Sequence, residues 1–260
     1  MEHIRALPPD EYVSLSRELG DFPEYVTPNH LLQRGWCRAF ISGSPQDFRG
    51  TIVDSKFEPG EPYCFGSDVQ ILWELLGHIP EMDCFQVDPP IARALGALFL
   101  RRNGWQPKYL DQIVQTLTVP VAEYRDRRVR LLTLDDAPLL RSAPGELGGI
   151  GFESPEQMLA EGFAACAIIA GEVVSSAFTS AITERYMDIG IRTVEEHRGK
   201  GLATAVASLV IKSVQGRGKT PVWLTYKNND ASLAVAHKLG FREVTRKTDV
   251  FHHLGDQGSL

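Results

Sequence analysis

The sequence predicts an α/β protein of the α+β kind, with two domains in the chain. Three observations carry that reading. The 260 residues exceed one small domain and suit two of ordinary size. Strand-like and helix-like segments alternate along the whole chain. In the second half a period-two segment, MDIGIRTV, is followed within a few residues by a helical-period segment, GLATAVASLVIKSV.

Composition narrows the class. With 43% hydrophobic and 23% charged residues, the chain has the balance of a globular protein. A formal charge of -6 gives no global basic field for nucleic acid. No apolar run approaches the roughly 20 residues of a membrane-spanning helix. The start, MEHIRALPPDEYVSLSREL, mixes acids and bases without the apolar core of a signal segment. Cys37, Cys64, Cys84 and Cys166 stand far apart and form no CxxC pair. They are expected to be reduced structural thiols of a cytoplasmic protein, with no zinc site.

The first half is loop-rich. WCRAFISG (Trp36–Gly43) reads as a short strand, SPQDFRG as a turn and TIVDS as a second strand, a hairpin with a longer loop. In YCFGSDVQILWELLGHIP, Ser67 or Asp68 caps a helix with Val69, Leu72, Trp73 and Leu76 on one face. CFQVD reads as a buried strand. PPIARALGALFLRRNG opens with prolines, runs as an amphipathic helix and stops at Gly104. QTLTVPVAEY reads as a further strand, and RDRRVR as a solvated connection rather than a nucleic-acid patch. The domain boundary is expected near residues 123 to 128, dividing the chain into 1–125 and 126–260. Trp36, Trp73 and Phe85 are expected in the core.

The second half is more regular. VRLLTLDDAPLL gives a strand, an Asp turn and a helix start. ESPEQMLAEGF has Ser154 as cap, Pro155 at the first helical position and Gln157 at the third. CAIIAGEVVSSAFTSA reads as two strands around Gly171-Glu172. In MDIGIRTV, Met187, Ile189, Ile191 and Thr193 face one way and Asp188, Gly190, Arg192 and Val194 the other. Leu202, Ala205, Val206, Leu209 and Val214 then recur at helical spacing. PVWLTY is a strand. NDASLAVAHKLG is a helix with Asp230 near its start and Gly240 past its end. FREV and TRKTDVFH close as two short strands.

The turn Arg198-Gly199-Lys200-Gly201, between a strand and a helix, suits a phosphate. Glycines let the ligand approach the backbone, and the first free N–H groups of the helix donate to it with the helix dipole behind them. Arg198 and Lys200 supply cations. The competing reading is a glycine pair that only makes a tight turn. Two other phosphate motifs fail. GRGKT (Gly216–Thr220) resembles the end of a P-loop, but the loop's first glycine falls at Ser213 and a strand follows. A dinucleotide fingerprint would need glycine where Thr204 stands.

The runs DIGIRTVEEHRGKGLATAVASLVIKS and PVWLTYKNNDASLAVAHKLGFREV resemble the GNAT superfamily of acyl-CoA-dependent N-acetyltransferases. The family's R/Q-x-x-G-x-G/A turn stands here as Arg198-Gly-Lys-Gly201-Leu-Ala203. Its downstream Asn, small residue and GF-ended helix stand as Asn229, Ser232 and Gly240-Phe241. The resemblance covers about residues 129 to 250, and within the superfamily it is nearest to a bacterial two-domain group that includes zwittermicin-type resistance acetyltransferases. It implies a mixed sheet flanked by helices and splayed between its fourth and fifth strands, with acetyl-CoA in the gap. The pantetheine arm would lie along the backbone of Ile191, Arg192 and Thr193. The pyrophosphate would sit on amides of Gly199, Lys200, Gly201, Leu202, Ala203 and Thr204, with Asn229 near the cofactor.

The implied reaction is acetyl transfer to a primary amine, expected to belong to a small molecule, by a monomer or homodimer without nucleic-acid or membrane partners. It needs a base for the amine proton, a donor for the thioester carbonyl and an acid for the leaving thiolate. The family's acidic tyrosine is replaced by Ala236, so Tyr226 or His237 must stand in, His237 being expected at the surface. Asp188 and Glu184 are the nearest candidate bases, ahead of Glu153 and Glu172. The competing role for Asp188 is an ion pair with Arg192. Glu195 and Glu196 are expected in a solvated loop. Ala236 also leaves open a CoA-binding sensor without turnover, and a protein amine is the alternative acceptor. The N-terminal part is expected to be a degenerate copy of the same fold. Pro89 and Pro90 would stand in place of its glycine turn, and the copy would wall one side of the acceptor cleft.

Overall fold

The computed structural model describes residues 4–80 and 82–252. Its chain divides into two compact units: Met1–Ile113 with Thr225–Asn229 and Thr245–Leu260, and Val114–Leu224 with Asp230–Val244. In chain order the elements are β1 (Ile4–Ala6), α1 (Tyr12–Leu19), α2 (Val26–Arg34), β2 (Cys37–Ser44), β3 (Asp47–Ser55), β4 (Tyr63–Gly66), α3 (Val69–Leu76), β5 (Cys84–Val87), α4 (Pro89–Asn103) and β6 (Lys108–Thr116). Then come β7 (Val129–Leu131), α5 (Ala137–Ser142), α6 (Pro155–Glu161), β8 (Ala164–Ile169), β9 (Glu172–Ile182), β10 (Tyr186–Thr193), α7 (Leu202–Gly216), β11 (Thr220–Tyr226), α8 (Asp230–Leu239) and β12 (Arg242–Phe251).

In the first unit β1, β2, β3 and β4 pair antiparallel in that order. β5 then runs parallel to β4, because α3 carries the chain back along the sheet between them. The last residues of β12 pair with the free edge of β5, Thr248 opposite Val87 and Phe251 opposite Cys84. One side of this sheet is covered by α3 and α4. Leu72, Leu75 and Leu76 from α3 and Leu95 and Phe99 from α4 join Phe85, Trp105 and Val250 in one core. Phe85 and Trp105 stack with ring centroids 5.7 Å apart. A separate cluster places Leu15, Leu19 and Leu32 of α1 and α2 against Ile41 and Val53. Trp36 is buried, while Trp73 is only partly so and donates to Asn103 Oδ1 at 3.3 Å.

The second unit repeats the strand order. β7, β8, β9 and β10 pair antiparallel, and β11 lies parallel to β10 with α7 as the crossover. Small residues bring α7 close to the sheet: Val206, Ala207 and Val210 pack with Ala165, Ala167 and Ala177. Trp223 is fully buried there, and its Nε1 donates to Ser232 Oγ at 3.0 Å, so Ser232 satisfies a buried indole. On the other side α5, α6 and the 145–148 turn cover Cys166, Val173 and Phe178. Gly190 is required by that packing, since a Cβ there would come within 2.4 Å of the Phe178 ring.

Four expectations change. The first hairpin is tight, because β2 and β3 extend through Ser44 and Asp47, and a bulge at Ser42/Gly43 absorbs the register shift. The strand expected over QTLTVPVAEY ends at Thr116. Pro120 has no N–H for a ladder, and the next residues bind helices instead. Gln215 Oε1 accepts from Val121 N at 3.1 Å, Gln215 Nε2 donates to Val119 O at 2.7 Å, and Tyr124 Oη donates to Lys238 O at 3.0 Å. The β8–β9 turn is Ala170-Gly171, with φ 52 and 86, the pair of positive values that suits a two-residue hairpin. FREV and TRKTDVFH form the single strand β12. The RDRRVR arginines are exposed, as expected, with Arg128 paired to Asp126 at 2.7 Å.

Asp68 caps α3 by accepting from Gln70 N and Ile71 N at 3.0 and 3.1 Å. Replacing Asp68 with Ala is expected to lower stability by about 1 kcal/mol, read from urea unfolding curves of the whole chain. Ser154, which caps α6 by accepting from Gln157 N at 3.2 Å, provides the same comparison in the second unit.

Candidate active site

β10 and β11 stay in register for only the first part of their length. Tyr186 pairs with Thr220, Met187 with Pro221 and Asp188 with Val222. From Ile189 to Thr193, β10 continues against β9 alone. The edge of Ile191, Arg192 and Thr193 away from β9 therefore belongs to no strand ladder, and its backbone groups can meet an extended polar chain. The expected splay is thus present, and it begins at Asp188.

Beyond β10 the chain makes a one-turn helix, Glu195–His197, and then the glycine turn. Arg198 Nε donates back to Thr193 O at 3.3 Å and Lys200 Nζ to Glu196 O at 2.7 Å, so both cations brace the turn. Gly199 and Gly201 have φ of 72 and 78, values that L side chains rarely adopt. A Cβ on either would meet no protein atom within 4 Å, so the space over the turn is open. Gly201 is the N-cap of α7 and no side chain caps this end, unlike α3 and α6. The first helical bond runs from Ala205 N to Gly201 O at 3.2 Å. The N–H groups of Leu202, Ala203 and Thr204 precede it and have no intrahelical acceptor. A 15-residue helix stands behind these donors with its positive end at the turn. This cradle fits an anionic phosphate group. GRGKT is no second one: Lys219 Nζ is held by Thr183 O and Glu184 O at 2.6 Å each, and β11 follows directly.

Asp188 is buried at the head of the splay. Its Oδ2 accepts from Ser180 Oγ at 2.5 Å, while its Oδ1 is buried without a hydrogen-bond partner. Burial pushes its carboxyl up to about 6; the Ser180 hydroxyl and the Ile189 amide act in the opposite direction. The expected ion pair with Arg192 does not form. Arg192 points to solvent and donates to Ile191 O at 2.9 Å, and Asp188 is held by the hydroxyl. Glu153, Glu172, Glu184, Glu195 and Glu196 are exposed. Ala236, where the family tyrosine would stand, is fully buried in the α7–α8 core, and His237 is exposed.

Tyr226 and Asn229 belong to the first unit and Asp188 to the second. Asn229 N donates to Tyr226 O at 3.0 Å in the turn after β11. The Tyr226 phenol is hydrogen-bonded to Asp249, which also accepts from Gln86 Nε2 at 3.0 Å. Burial, and then the neighbouring carboxylate, hold the phenol well above its ordinary value, and burial pushes Asp249 up to about 6. Asp249 was missed in the sequence. The available signal was an acid inside the apolar end of TRKTDVFH.

The first unit has its own strand–helix–parallel-strand sequence in β4, α3 and β5. The helix matching α7 is thus α3, not the proline-led α4, which corresponds to α8. Gly66-Ser67-Asp68 stands in the position of the glycine turn. There the amides are taken by Asp68, whose Oδ2 also receives Arg49 Nη2 at 2.5 Å. Beside β4 and β5, the Lys247 side chain is buried, bonded to Asp88 Oδ1 at 2.5 Å and 4.4 Å from the Tyr25 ring centroid. Cys64, Cys84 and Cys166 are buried free thiols whose pKa burial raises, consistent with structural roles. Among the described residues no group of His, Cys, Asp and Glu is placed to hold a metal, and no helix is long and apolar enough to cross a membrane.

The GNAT acetyltransferase family model matches residues 150–248, the stretch that contains the splay, the glycine turn and α8. A curated relative, the uncharacterized N-acetyltransferase YdfB of Bacillus subtilis (strain 168), is 34% identical over 97 residues, which span 37% of this chain and 37% of that one. The fold of the whole chain is shared more widely. A GCN5-related N-acetyltransferase-like protein from Streptococcus suis superposes with a TM-score of 0.69 at 18% identity, covering 94% of this chain and 99% of that one. A tandem GNAT protein from the clavulanic acid biosynthesis pathway gives 0.56 at 15% identity, covering 98% and 99%.

Replacing Gly201 with Val tests the cradle. The strained φ costs about 1–2 kcal/mol, and the side chain projects into the open space over the turn. Acetyl-CoA affinity measured by calorimetry is expected to fall at least about tenfold, the scale of one lost charge-assisted contact. Wild-type protein is expected to bind one acetyl-CoA per chain, since Asp68 already occupies the amides of α3.

Proposed function

We propose that the chain transfers an acetyl group from acetyl-CoA to a primary amine of a small molecule. The observation that carries this reading is the uncapped N-terminus of α7, with two positive-φ glycines, beside a strand edge that opens at a buried carboxylate. The backbone of Ile191, Arg192 and Thr193 would hold the pantetheine arm. The amides from Gly199 to Thr204 would hold the pyrophosphate, with Asn229 contributing from the turn after β11. Bound acetyl-CoA supplies an activated acyl group as a thioester. Asp188 acts as the general base, its unpartnered Oδ1 accepting the amine proton. Burial keeps water from competing for that lone pair and brings the carboxyl to about 6, where it is ionised at neutral pH yet basic enough to take a proton. No acid stands at Ala236. Tyr226 is our candidate proton source for the leaving thiolate, although burial and the Asp249 carboxylate make its phenol a weaker acid than a free tyrosine.

The buried Ala236 favours one second reading, a CoA-binding sensor without turnover. The two separate in one experiment, release of free CoA from acetyl-CoA across a broad panel of amines. The transferase reading expects release with at least one amine, and silence with binding intact would favour the sensor. Substituting Asp188 with Asn is expected to lower kcat by about 10²–10⁴. In the wild type the rate should fall as pH drops through about 6, because protonated Asp188 cannot accept a proton. That acidic limb should be absent from the residual activity of the Asn variant.

A further inference from the structure

We propose that Ser180 is a positioning residue for the reaction, a hydroxyl that fixes the Asp188 carboxylate so that one oxygen is held and the other is left for the acceptor amine. The inference rests on the reading of Asp188 as the base and adds the residue that orients it.

Three features of the second unit converge on Ser180. The first is backbone register. Ala181 pairs with Asp188 and Thr179 with Ile189, so Ser180 is the extra residue of a bulge that falls where β10 leaves β11. A bulge interrupts side-chain alternation and can re-aim a single residue. Here it turns the Ser180 hydroxyl towards Asp188. The second is the bond itself. Ser180 Oγ donates to Asp188 Oδ2 at 2.5 Å in a buried site, within the range of a charge-assisted O–H···O bond. The third is a clamp from the far side. Gly151, at φ 83, lies so close to the Ser180 carbonyl that a Cβ on it would overlap that oxygen. Bulge, bond and clamp fix the hydroxyl's position independently of any ligand.

Nothing charged among the described residues shares this task. β9 brings Ser180, Ala181 and Ile182 beside Asp188, β11 brings Val222, and Leu147 packs in the cluster over the sheet. The apolar face of α7 packs on Met187 and Ile189. Arg192, Glu184 and Arg185, the charged residues nearest along the chain, are exposed and make no electrostatic contribution to the carboxyl. The groups that stabilise its ionised form are the Ser180 hydroxyl and the Ile189 amide. With Oδ2 anchored, the partnerless Oδ1 has a defined direction.

The test compares wild type, Ser180→Ala, Ser180→Thr, Ser180→Cys and Asp188→Asn in the full chain. Titration of the Asp188 carboxyl is followed by carbon NMR on aspartate-labelled protein, assigned by the Asn variant, so no acceptor is needed. Loss of the hydroxyl is expected to move the titration to higher pH by about one pH unit, as removal of a hydrogen bond to a charged group should. Thr is expected to restore the wild-type position, and the weaker Cys donor to fall between. With an amine identified by CoA release, Ser180→Ala should lose about tenfold in kcat at pH 5.5 and little at pH 8.5. An unmoved titration in Ser180→Ala, or a Thr variant that behaves like Ala, overturns the proposal. If Ser180→Ala does not fold, the Ser180→Cys titration decides instead: a move to higher pH supports the proposal and an unmoved one overturns it. Full activity in Asp188→Asn would overturn the base assignment instead, which separates failure of the parent reading from failure of this one.

Discussion

The second unit is organised around a refusal of two parallel strands to stay paired. A parallel ladder normally continues as long as both strands do, because each unpaired N–H and C=O costs free energy unless something else meets it. β10 and β11 pair through Asp188 and Val222 and then separate, although both strands run on. The opening can persist because β9 holds the other edge of β10 through Thr193 and because α7 packs underneath it. The chemistry gathered here depends on that opening. It exposes a strand edge, it sets a buried carboxylate at its head, and it leads the chain into a turn whose glycines leave the end of α7 bare.

The helix ends make the same point by contrast. A helix N-terminus with free amides is costly if buried and useful only if an anion visits it. Two helices of this chain close the question internally, α3 with Asp68 and α6 with Ser154. α7 has Gly201 in the cap position, which supplies no acceptor. Gly201 also adopts a left-handed conformation that a Ser or Asp would enter only with strain. The bare end is thus built into the backbone rather than produced by a missing side chain.

Much of this was legible in the sequence where local chemistry alone decides structure. The capped helix at Ser154, the helix stops at Gly104 and Gly240, and the strand–glycine turn–helix around Arg198 follow from cap and turn preferences that tertiary contacts only reinforced. The readings that failed depended on long-range partners. QTLTVPVAEY has a plausible strand pattern, but Gln215, about a hundred residues away, captures its backbone, and the Tyr124 hydroxyl goes to Lys238 O. Asp188 with Arg192 is a sensible pair on an ideal strand, and a bulge gives Asp188 to Ser180 instead. A bulge has no residue signature in SSAFTSAITERYMDIGI, so neither the pairing nor the role of Ser180 was readable there.

The repeat of strand order in the two units shows how little separates a helix end left open from one closed by its own side chain. Each unit has an antiparallel set, a crossover helix and a parallel strand, and in the first unit β4 meets β5 at Tyr63 and Gln86. What differs is the chemistry at equivalent places. The carboxylate of Asp68, tied to Arg49, takes the amides of α3 and puts negative charge where a phosphate would have to come. The buried Lys247, paired to a half-exposed Asp88, brings a charge beside the strands. Removing the Asp68 carboxylate alone would free two amides but leave the cap residue at φ -83, not in the left-handed conformation of Gly201, so the backbone would still not present its donors as α7 does. Within one architecture, then, anion binding depends on which residue occupies the cap and on the conformation that residue permits.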